Sequence, residues 1–294
     1  MNFAATLLVA GLSVGSIYAM IAITLNLTYW TTRTVNFGQG SILMLSAMGT
    51  IFLARVGLPL GFAVLVAVGV AAVVMILIER IAIRPAMSES GSMGWAVSTL
   101  GVGILLQGLV ARYFGSQAVA FPEVLMSSDL YLTVGGIRIG AQYLLVFTFS
   151  IITIAVMEAF LRLTVWGRAV RAVAQDRELA GVMGMPVSGI ILISFAVSGV
   201  LAGTAGILTA QIIGTVDPAF GFNLLMSGFV AGILGGFGSN IGALVGGLLI
   251  GVIEQFASGY VSTALGHGIS MVILLLMLAF RPQGLFGTIE VEKA

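Results

Sequence analysis

The sequence contains no cysteine, one lysine and one histidine among its 294 residues. Without cysteine the chain can form neither a disulfide nor a thiolate metal site, and it has no thiol nucleophile. A phosphate-binding P-loop requires a lysine after its glycines, and Lys293 follows no such motif. We therefore expect no metal and no cofactor on this chain, and no ATP hydrolysis by it.

Charged residues are also scarce, at 8% of the sequence against about a quarter in ordinary soluble domains. The net charge of +1 gives no basis for nucleic-acid binding. Hydrophobic residues make up 59% of the chain, and the mean hydropathy is +1.16. This composition predicts an all-α polytopic protein embedded in the lipid bilayer.

The apolar stretches predict nine membrane segments. They are residues 7–29, 41–54, 59–78, 93–114, 143–161, 187–213, 224–237, 242–256 and 263–280. Segment 41–54 is short, so it either spans with help from its neighbours or is re-entrant, which would leave eight segments. Within segment 93–114, Ser98, Thr99 and Gln107 must face protein or a cavity, because lipid cannot satisfy their hydrogen bonds.

The placement of arginine and lysine predicts the orientation, since cytoplasmic loops carry the excess of basic residues. Three basic groups mark cytoplasmic loops: Arg80 with Arg84, then Arg162, Arg168, Arg171 and Arg177, then Arg281 with Lys293. The polar segment 115–142 contains Arg138 but also the acidic residues Glu123 and Asp129, so we expect it on the external side of the membrane. Alternating residues around Gly135 and Gly136 predict a small β-hairpin there.

Two polar turns interrupt the apolar pattern and resemble each other. Residues 34–44 read TVNFGQGSILM, and residues 215–226 read TVDPAFGFNLLM. Each turn follows a long predicted helix and precedes a short one, which predicts two inverted repeats with broken helices. The single domain, 1–294, then divides into six parts. They are a first repeat (1–114), an external loop (115–142), a linking span (143–161), a cytoplasmic coupling element (162–186), a second repeat (187–280) and a cytoplasmic tail (281–294).

A turn at membrane depth is tolerated only against protein or an aqueous path, so the two turns are the candidate solute path. Their polar and aromatic side chains suit a zwitterion with an apolar tail: Asn36, Phe37, Gln39, Ser41, Asp217, Phe220 and Asn223. The alternative is that these residues only satisfy the broken backbone, for example if Asp217 caps the turn at Pro218.

Three further patterns in the apolar segments have plainer interpretations. Ser13 lies in a formal match to the hydrolase nucleophile elbow, and His267 is the single histidine, but the elbow needs a strand-to-helix turn and Ser13 lies within a predicted helix. Glu158 and Glu254 lie near span ends, so we expect them to be interfacial anchors or partner contacts. The clustered late glycines predict intramolecular helix packing, with a surface for a second subunit as the alternative.

Residues 166–186, WGRAVRAVAQDRELAGVMGMP, form the longest stretch that cannot lie in a bilayer. Asp176 is a good N-cap, so the stretch predicts two short helices with a break before it. The residues expected to contact another protein are Arg168, Arg171, Asp176, Arg177, Glu178, Ala180, Gly181 and Gly184. Of these, Ala180, Gly181 and Gly184 form the small apolar tip that would enter the partner. The alternative is a solvated basic loop that only fixes topology.

Several segments in order resemble the permease subunits of branched-chain amino-acid ABC importers. The segment GRAVRAVAQDRELAGVMGM resembles the cytoplasmic loop that docks into a groove on the ATPase in that family. GSIYAMIAITLNLTYWTTRTVNFGQG resembles the family's first span and the turn that follows it. GILGGFGSNIGALVGGLLIGVIE and RPQGLFG resemble its closing spans and tail, so the resemblance covers most of the chain.

The resemblance implies a transport subunit, not an enzyme, in the cytoplasmic (inner) membrane of a bacterium or archaeon. Its implied partners are two cytoplasmic ATP-binding subunits, a second related permease subunit and an extracytoplasmic substrate-binding protein that docks at segment 115–142 and the second turn.

Two alternatives remain open. The first turn reads Asn-Phe-Gly-Gln-Gly, where the family commonly has Ala-His or a similar pair between Phe and Gly, so urea or another small organic solute is the alternative substrate. An ion-coupled secondary transporter is the alternative class, and in that case residues 166–186 would be only a loop.

Overall fold

The structure, a computed structural model, describes residues 2–87, 93–124, 130–134, 137–281 and 283–286. Its helices, in chain order, are α1 (Asn2–Thr32), α2 (Gln39–Arg55), α3 (Leu60–Ile78), α4 (Arg84–Ala86), α5 (Gly94–Phe114), α6 (Ala141–Leu163), α7 (Val165–Gln175), α8 (Arg177–Val182), α9 (Val187–Ile213), α10 (Phe220–Gly235), α11 (Asn240–Tyr260) and α12 (Thr263–Phe280). A π-helical turn, Glu79–Ile83, joins α3 to α4.

Nine helices in the described part of the chain have 16 residues or more, one for each predicted segment. Six helical segments are long and apolar enough to cross a membrane, and α10 and the Gly268–Phe280 part of α12 are shorter apolar helices. The all-α polytopic class predicted from composition is therefore confirmed.

Several helices extend beyond the predicted segments: α1 begins at Asn2 and not at residue 7, and α11 covers Asn240–Tyr260 and not 242–256. Helix α1 continues to Thr32, and α10 begins at Phe220, before the predicted start at residue 224. The prediction placed the start of α10 after the polar Asn223. The helix instead begins directly after the turn, because one polar side chain does not interrupt the backbone hydrogen bonds of a helix.

The chain folds into two compact units that are interleaved along the sequence. Unit 1 comprises Met1–Asn26, Ser128–Ser150 and Met226–Ala294. Unit 2 comprises Leu27–Ser127 and Ile151–Leu225. Each of the repeats defined from the sequence contributes helices to both units. Both polar turns belong to unit 2.

The core of unit 2 is formed by α2, α3 and α9. Phe195 of α9 and Met75 of α3 are fully buried in it. A β-carbon on Gly199 would lie 2.7 Å from the Cα atom of Ala72, so α9 and α3 pack backbone against backbone. Small residues at such contacts are how helices associate in a membrane, where no water drives their apolar faces together.

In unit 1 the first part of α1 packs against α11 in the same way. A β-carbon on Gly11 would lie 2.7 Å from the Cα atom of Val252, and one on Gly15 would lie 2.7 Å from the carbonyl oxygen of Gly247. Of the late glycines, Gly251 makes the reciprocal contact, since a β-carbon on it would overlap the Cα atom of Gly15, so the prediction that they serve intramolecular packing is confirmed there and at Gly199.

Four short strands lie in segments predicted outside the membrane: β1 (Val119–Ala120), β2 (Tyr131–Val134), β3 (Ile137–Gly140) and β4 (Thr215–Val216). Strands β2 and β3 pair antiparallel, with Tyr131 opposite Gly140, which confirms the predicted hairpin. The turn of that hairpin, at Gly135 and Gly136, lies outside the described residues, as does Asp129.

Part of the predicted cytoplasmic tail packs on the end of α10. The Leu285 N–H donates to the carbonyl of Leu234 at 2.8 Å, and the Phe286 N–H donates to that of Gly235 at 3.0 Å. Residues 287–294, including Lys293, lie outside the described part of the chain.

Candidate functional site

The two polar turns share one hydrogen-bonding pattern. Asn36 Oδ1 accepts the N–H of Gly38 at 3.0 Å, and Asp217 Oδ1 accepts the N–H of Ala219 at 2.7 Å. In each turn the backbone carbonyl of the same residue accepts from the third residue further on, at 3.3 and 3.1 Å respectively. Asn and Asp commonly hold turns in this way. The turns therefore match in structure as well as in sequence.

These turns lead into α2 and α10, whose N-terminal ends meet at Gly40 and Gly221. A β-carbon on Gly40 would lie 2.8 Å from the carbonyl oxygen of Gly221, and one on Gly221 would overlap the carbonyl oxygen of Gly40. The approach needs glycine on both sides. Because a helix N-terminus carries a partial positive charge, the contact brings two such ends together.

A cleft with a volume of about 300 Å³ opens beside this contact. It is lined by Phe37, Gly40, Ser41, Leu100, Gly103, Ile104, Gln107, Pro218 and Phe222. The Ser41 hydroxyl donates to the carbonyl of Gly103 at 2.8 Å, which ties the start of α2 to α5. An apolar wall with a few polar groups, here Ser41 and Gln107, is typical of a site for a small organic molecule.

Only two of the predicted path residues, Phe37 and Ser41, line the cleft. Gln39 is buried, and its Nε2 donates to Ser198 Oγ at 3.4 Å. Phe220 is buried, whereas Asn223 is exposed on α10.

Asn36 and Asp217, also predicted on the path, hold the two turns through the bonds described above. For Asp217 this is the alternative considered from the sequence, although it caps the N–H of Ala219 and not that of the neighbouring proline, which has none.

Helix α5 supplies the part of the cleft that the sequence did not assign to the path. The prediction that Gln107 faces protein or a cavity is confirmed. Its neighbours Leu100, Gly103 and Ile104 carried no signal, because an apolar residue in a membrane helix reads the same whether it faces lipid or a cleft.

The predicted pair of short helices in residues 166–186 is confirmed. Helix α7 ends at Gln175, and Asp176 caps α8 by accepting the N–H groups of Glu178 and Leu179, both at 2.9 Å. On α7, Val170 and Val173 are buried, while the two arginines of that helix are exposed.

The composition of the exposed tip differs from the prediction. Ala180 is only 4% exposed, because the six-residue helix α8 turns this side toward the rest of the chain. The large apolar residues exposed on α8 and directly after it are Leu179 at 60%, Val182 at 85% and Met183 at 81%. Exposed with them are Arg168, Arg171, Asp176, Arg177, Glu178, Gly181 and Gly184.

The prediction that Glu254 reaches an interface is wrong. Its side chain is buried in unit 1, where the Tyr18 hydroxyl donates to Oε2 at 2.6 Å and the hydroxyls of Ser227 and Ser270 donate to Oε1. Three hydroxyl donors replace the water that an interfacial carboxylate would have. Glu158, by contrast, pairs with Arg162 at 2.6 Å near the end of α6.

The formal hydrolase motif has no matching geometry. Ser13 lies inside α1, and its hydroxyl donates to the carbonyl of Tyr143 at 2.6 Å. The side chain of His267 lies outside the described part of the structure. Among the described residues, no three His, Cys, Asp or Glu side chains are grouped as metal ligands.

The segment before the hairpin joins the second turn through a short sheet. Strands β1 and β4 pair antiparallel, with Val119 opposite Val216. The Val124 N–H also donates to Gln211 Oε1 at 2.9 Å. Two segments predicted on the external side therefore form one surface within unit 2.

Comparison with known proteins gives concordant matches. Residues 7–280 match the family described as branched-chain amino acid transport system, permease component. The chain is 32% identical to the high-affinity branched-chain amino acid transport system permease protein LivH of Escherichia coli, over 96% of this chain and 95% of that protein. It is 31% identical to the corresponding protein BraD of Pseudomonas aeruginosa, over 97% of this chain and 96% of that protein.

Among solved structures, PsaBC from Streptococcus pneumoniae in complex with Fab has a similar fold, with a TM-score of 0.53 and 14% identity over 96% of this chain and 93% of that one. At this identity the similarity concerns the fold alone. The sequence matches, in contrast, extend over nearly the whole chain. The chain therefore belongs to the permease-component family of branched-chain amino acid transport systems, and it is a multi-pass membrane subunit of the ABC type.

Proposed function

We propose that this chain forms part of the translocation path for branched-chain or related small amino acids in an ABC importer, and that the cleft beside Gly40 and Gly221 lies on that path. The observation that carries the proposal is the cleft itself, which is apolar on most of its surface and adjoins two helix N-termini. Broken helices whose N-termini face a solute site recur in membrane transporters.

The cleft fits the chemistry of an aliphatic amino acid. Its carboxylate is attracted to the partial positive charge at the starts of α2 and α10. The hydroxyl of Ser41 and the amide of Gln107 can accept from its ammonium group. Leu100 and Ile104 offer apolar contact to a branched side chain. A volume of about 300 Å³ is at the small end of the range for ligand pockets, as a small solute requires.

The partner that supplies energy would dock at α7 and α8. Leu179, Val182 and Met183 form an exposed apolar tip, and Arg168 and Arg171 are exposed on the preceding helix, α7. A solvent-facing apolar tip is typical of a protein contact. We propose that two cytoplasmic ATP-binding subunits, carrying ATP and magnesium, bind these helices in the complex, and that the chain itself is not an enzyme.

A second, related permease would cover the open side of the cleft. Asn223 is exposed on α10 beside the exposed Phe222. Lipid cannot satisfy an amide, so a membrane helix that exposes one is better matched by a protein neighbour or an aqueous path. The pair of permeases would together enclose the solute.

On the other side of the membrane, an extracytoplasmic substrate-binding protein would deliver the solute to the surface around β1 and β4, next to the second turn. The pairing of these strands supports this placement, because it holds the turn and the preceding segment together. The complex would lie in the cytoplasmic (inner) membrane of a bacterium or archaeon.

Reconstitution tests the proposal. The permease is expressed with ATP-binding, permease and binding-protein subunits from the same organism, purified through a tag on this chain, and placed in proteoliposomes. We expect the ATP-binding subunits to co-purify and radiolabelled leucine or isoleucine uptake to require ATP. Uptake that is displaced by urea and not by leucine would assign the alternative solute. Uptake without ATP-binding subunits, driven by an ion gradient, would overturn the proposal in favour of a secondary transporter.

A further inference from the structure

Arg33 connects the first turn to the end of helix α7. Its guanidinium donates from Nη2 to the carbonyl of Ala174 at 3.2 Å. Ala174 lies in the last turn of α7, next to the break that separates α7 from α8. A cation at this place is favoured twice, because the last carbonyls of a helix lack intrahelical donors and the helix C-terminus carries a partial negative charge.

The backbone at Arg33 has a conformation that an arginine seldom adopts. Its φ is 56°, the single positive value recorded for a non-glycine residue in the described part of the chain. Its N–H donates to the carbonyl of Tyr29 at 2.7 Å, which ends α1. Such left-handed residues persist where the surrounding contacts fix them, and they are frequent at functional switches.

Phe37 at the cleft lies only four positions after Arg33, and side-chain hydrogen bonds hold this part of the chain. The hydroxyls of Thr32 and Thr34 lie 2.9 Å apart and share a hydrogen bond on either side of Arg33. The Asn36 side chain then holds the N–H of Gly38 at 3.0 Å. Phe37, which lines the cleft, lies within the second of these hydrogen-bonded turns, between Asn36 and Gly38. Side-chain hydrogen bonds therefore hold the chain at two points between Arg33 and the cleft wall.

We propose that Arg33 is a positioning residue that transmits movement of helices α7 and α8 to the first turn, and so links ATP-driven motion to the cleft. The inference rests on the proposed function, since it requires an ATP-binding subunit at α8. Arg33 contacts neither ATP nor solute. It sets how closely the position of Phe37 follows the movement of α7 and α8.

Three substitutions separate the side chain from its unusual backbone. Arg33→Gln removes the charge and keeps the backbone strain. Arg33→Gly removes the side chain and suits the positive φ. Arg33→Lys keeps the charge and a donor. Arg80→Gln is the control, because Arg80 is another exposed arginine of a predicted cytoplasmic loop and lies in the π-helical turn.

The readout is the number of solute molecules moved per ATP hydrolysed by the whole complex in proteoliposomes, with ATP-binding subunits retained per permease measured alongside. In Arg33→Gln and Arg33→Gly we expect this ratio to fall about two- to ten-fold, the range expected for losing one hydrogen bond. Subunit retention should be unchanged. Arg33→Lys should recover part of the ratio, and Arg80→Gln should match the wild type.

Three results would overturn the inference. A normal ratio in both Arg33→Gln and Arg33→Gly would show that the link carries no motion. A defect in Arg33→Gln alone would place the cause in the strained backbone. Loss of the ATP-binding subunits would give Arg33 a merely structural role in holding α7. Failure of the wild-type complex to move solute with ATP would instead contradict the proposed function, whatever the variants do.

Discussion

Gly40 and Gly221 touch through their backbones, so that a β-carbon on Gly221 would overlap the carbonyl oxygen of Gly40. They occupy matching positions, each four residues after the turn-holding Asn36 or Asp217. Two elements that match in sequence and in hydrogen bonding thus meet at equivalent residues. The contact fixes how near the starts of α2 and α10 approach each other at the edge of the cleft.

This contact predicts that adding one methyl group at Gly221 lowers the stability of the permease. Gly221→Ala should destabilise the permease by about 1–3 kcal/mol, the usual cost of overpacking, because backbone is the obstacle and cannot rotate away. The measurement is the thermal midpoint of the purified protein in detergent. Gly101→Ala on α5 is the control, since a β-carbon there meets no atom of this chain within 4 Å. Equal midpoints for the two variants would contradict the contact.

The turn-holding carboxylate predicts a difference between two substitutions at one position. Asp217→Asn keeps an oxygen that can accept the N–H of Ala219, so assembly and uptake should stay close to normal. Asp217→Leu removes the acceptor and should lower the yield of assembled complex together with uptake, and Asn36→Leu should do the same in the first turn. Normal assembly with abolished uptake in the leucine variants would instead place these side chains in direct contact with solute.

The polar groups of the cleft predict a change in apparent affinity. Gln107→Leu keeps the size of the side chain and removes its hydrogen bonds, so the half-saturating solute concentration should rise about three- to ten-fold. The yield of complex should be unchanged. Ser98→Ala, on the same helix but away from the cleft lining, is the matched control. Unaltered half-saturation in Gln107→Leu would move the solute site elsewhere.

The exposed tip of α8 predicts where ATP-binding subunits are held. Met183→Glu places a charge on a residue that is 81% exposed, so the permease should fold normally but lose most of its ATP-binding subunits on purification. Ala180→Glu should reduce the folded permease itself, because Ala180 is buried in this chain. Arg177→Ala should have little effect, as expected for an exposed rim charge. Full retention in Met183→Glu would show that the tip is a solvated loop.

The pairing of β1 with β4 predicts that a disulfide engineered across these strands will form, and such a disulfide tests the orientation of the chain in the membrane. The chain has no native cysteine, so Ala120→Cys with Thr215→Cys introduces a single pair at opposed positions that are both exposed. Opposed antiparallel residues have Cα atoms about 4.5–5.5 Å apart, which suits a disulfide. We expect the pair to oxidise in intact cells and to be reduced by a membrane-impermeant reagent. Protection from that reagent would reverse the predicted orientation, and each single variant serves as a control.

The sequence alone determined the class of the protein and most of its elements. The apolar pattern is a local property, so nine helices, with the limits of α9 and α12, could be read without knowing any contact. The cap at Asp176 is equally local, because its acceptor and donors lie within three residues. The matching turns were also visible, since their hydrogen bonds join residues two and three apart.

Tertiary structure decided what these elements face. The sequence placed Glu254 at an interface, but the hydroxyls that bury it come from distant segments, at Tyr18, Ser227 and Ser270. It placed Ala180 at an exposed tip, but which side of a six-residue helix is covered depends on the packing around it. In a membrane helix, apolar residues suit lipid, core and cleft alike, so hydropathy cannot distinguish the cleft wall at Leu100 and Ile104 from a lipid-facing surface. Only the meeting of α2, α5 and α10 in three dimensions defines that wall.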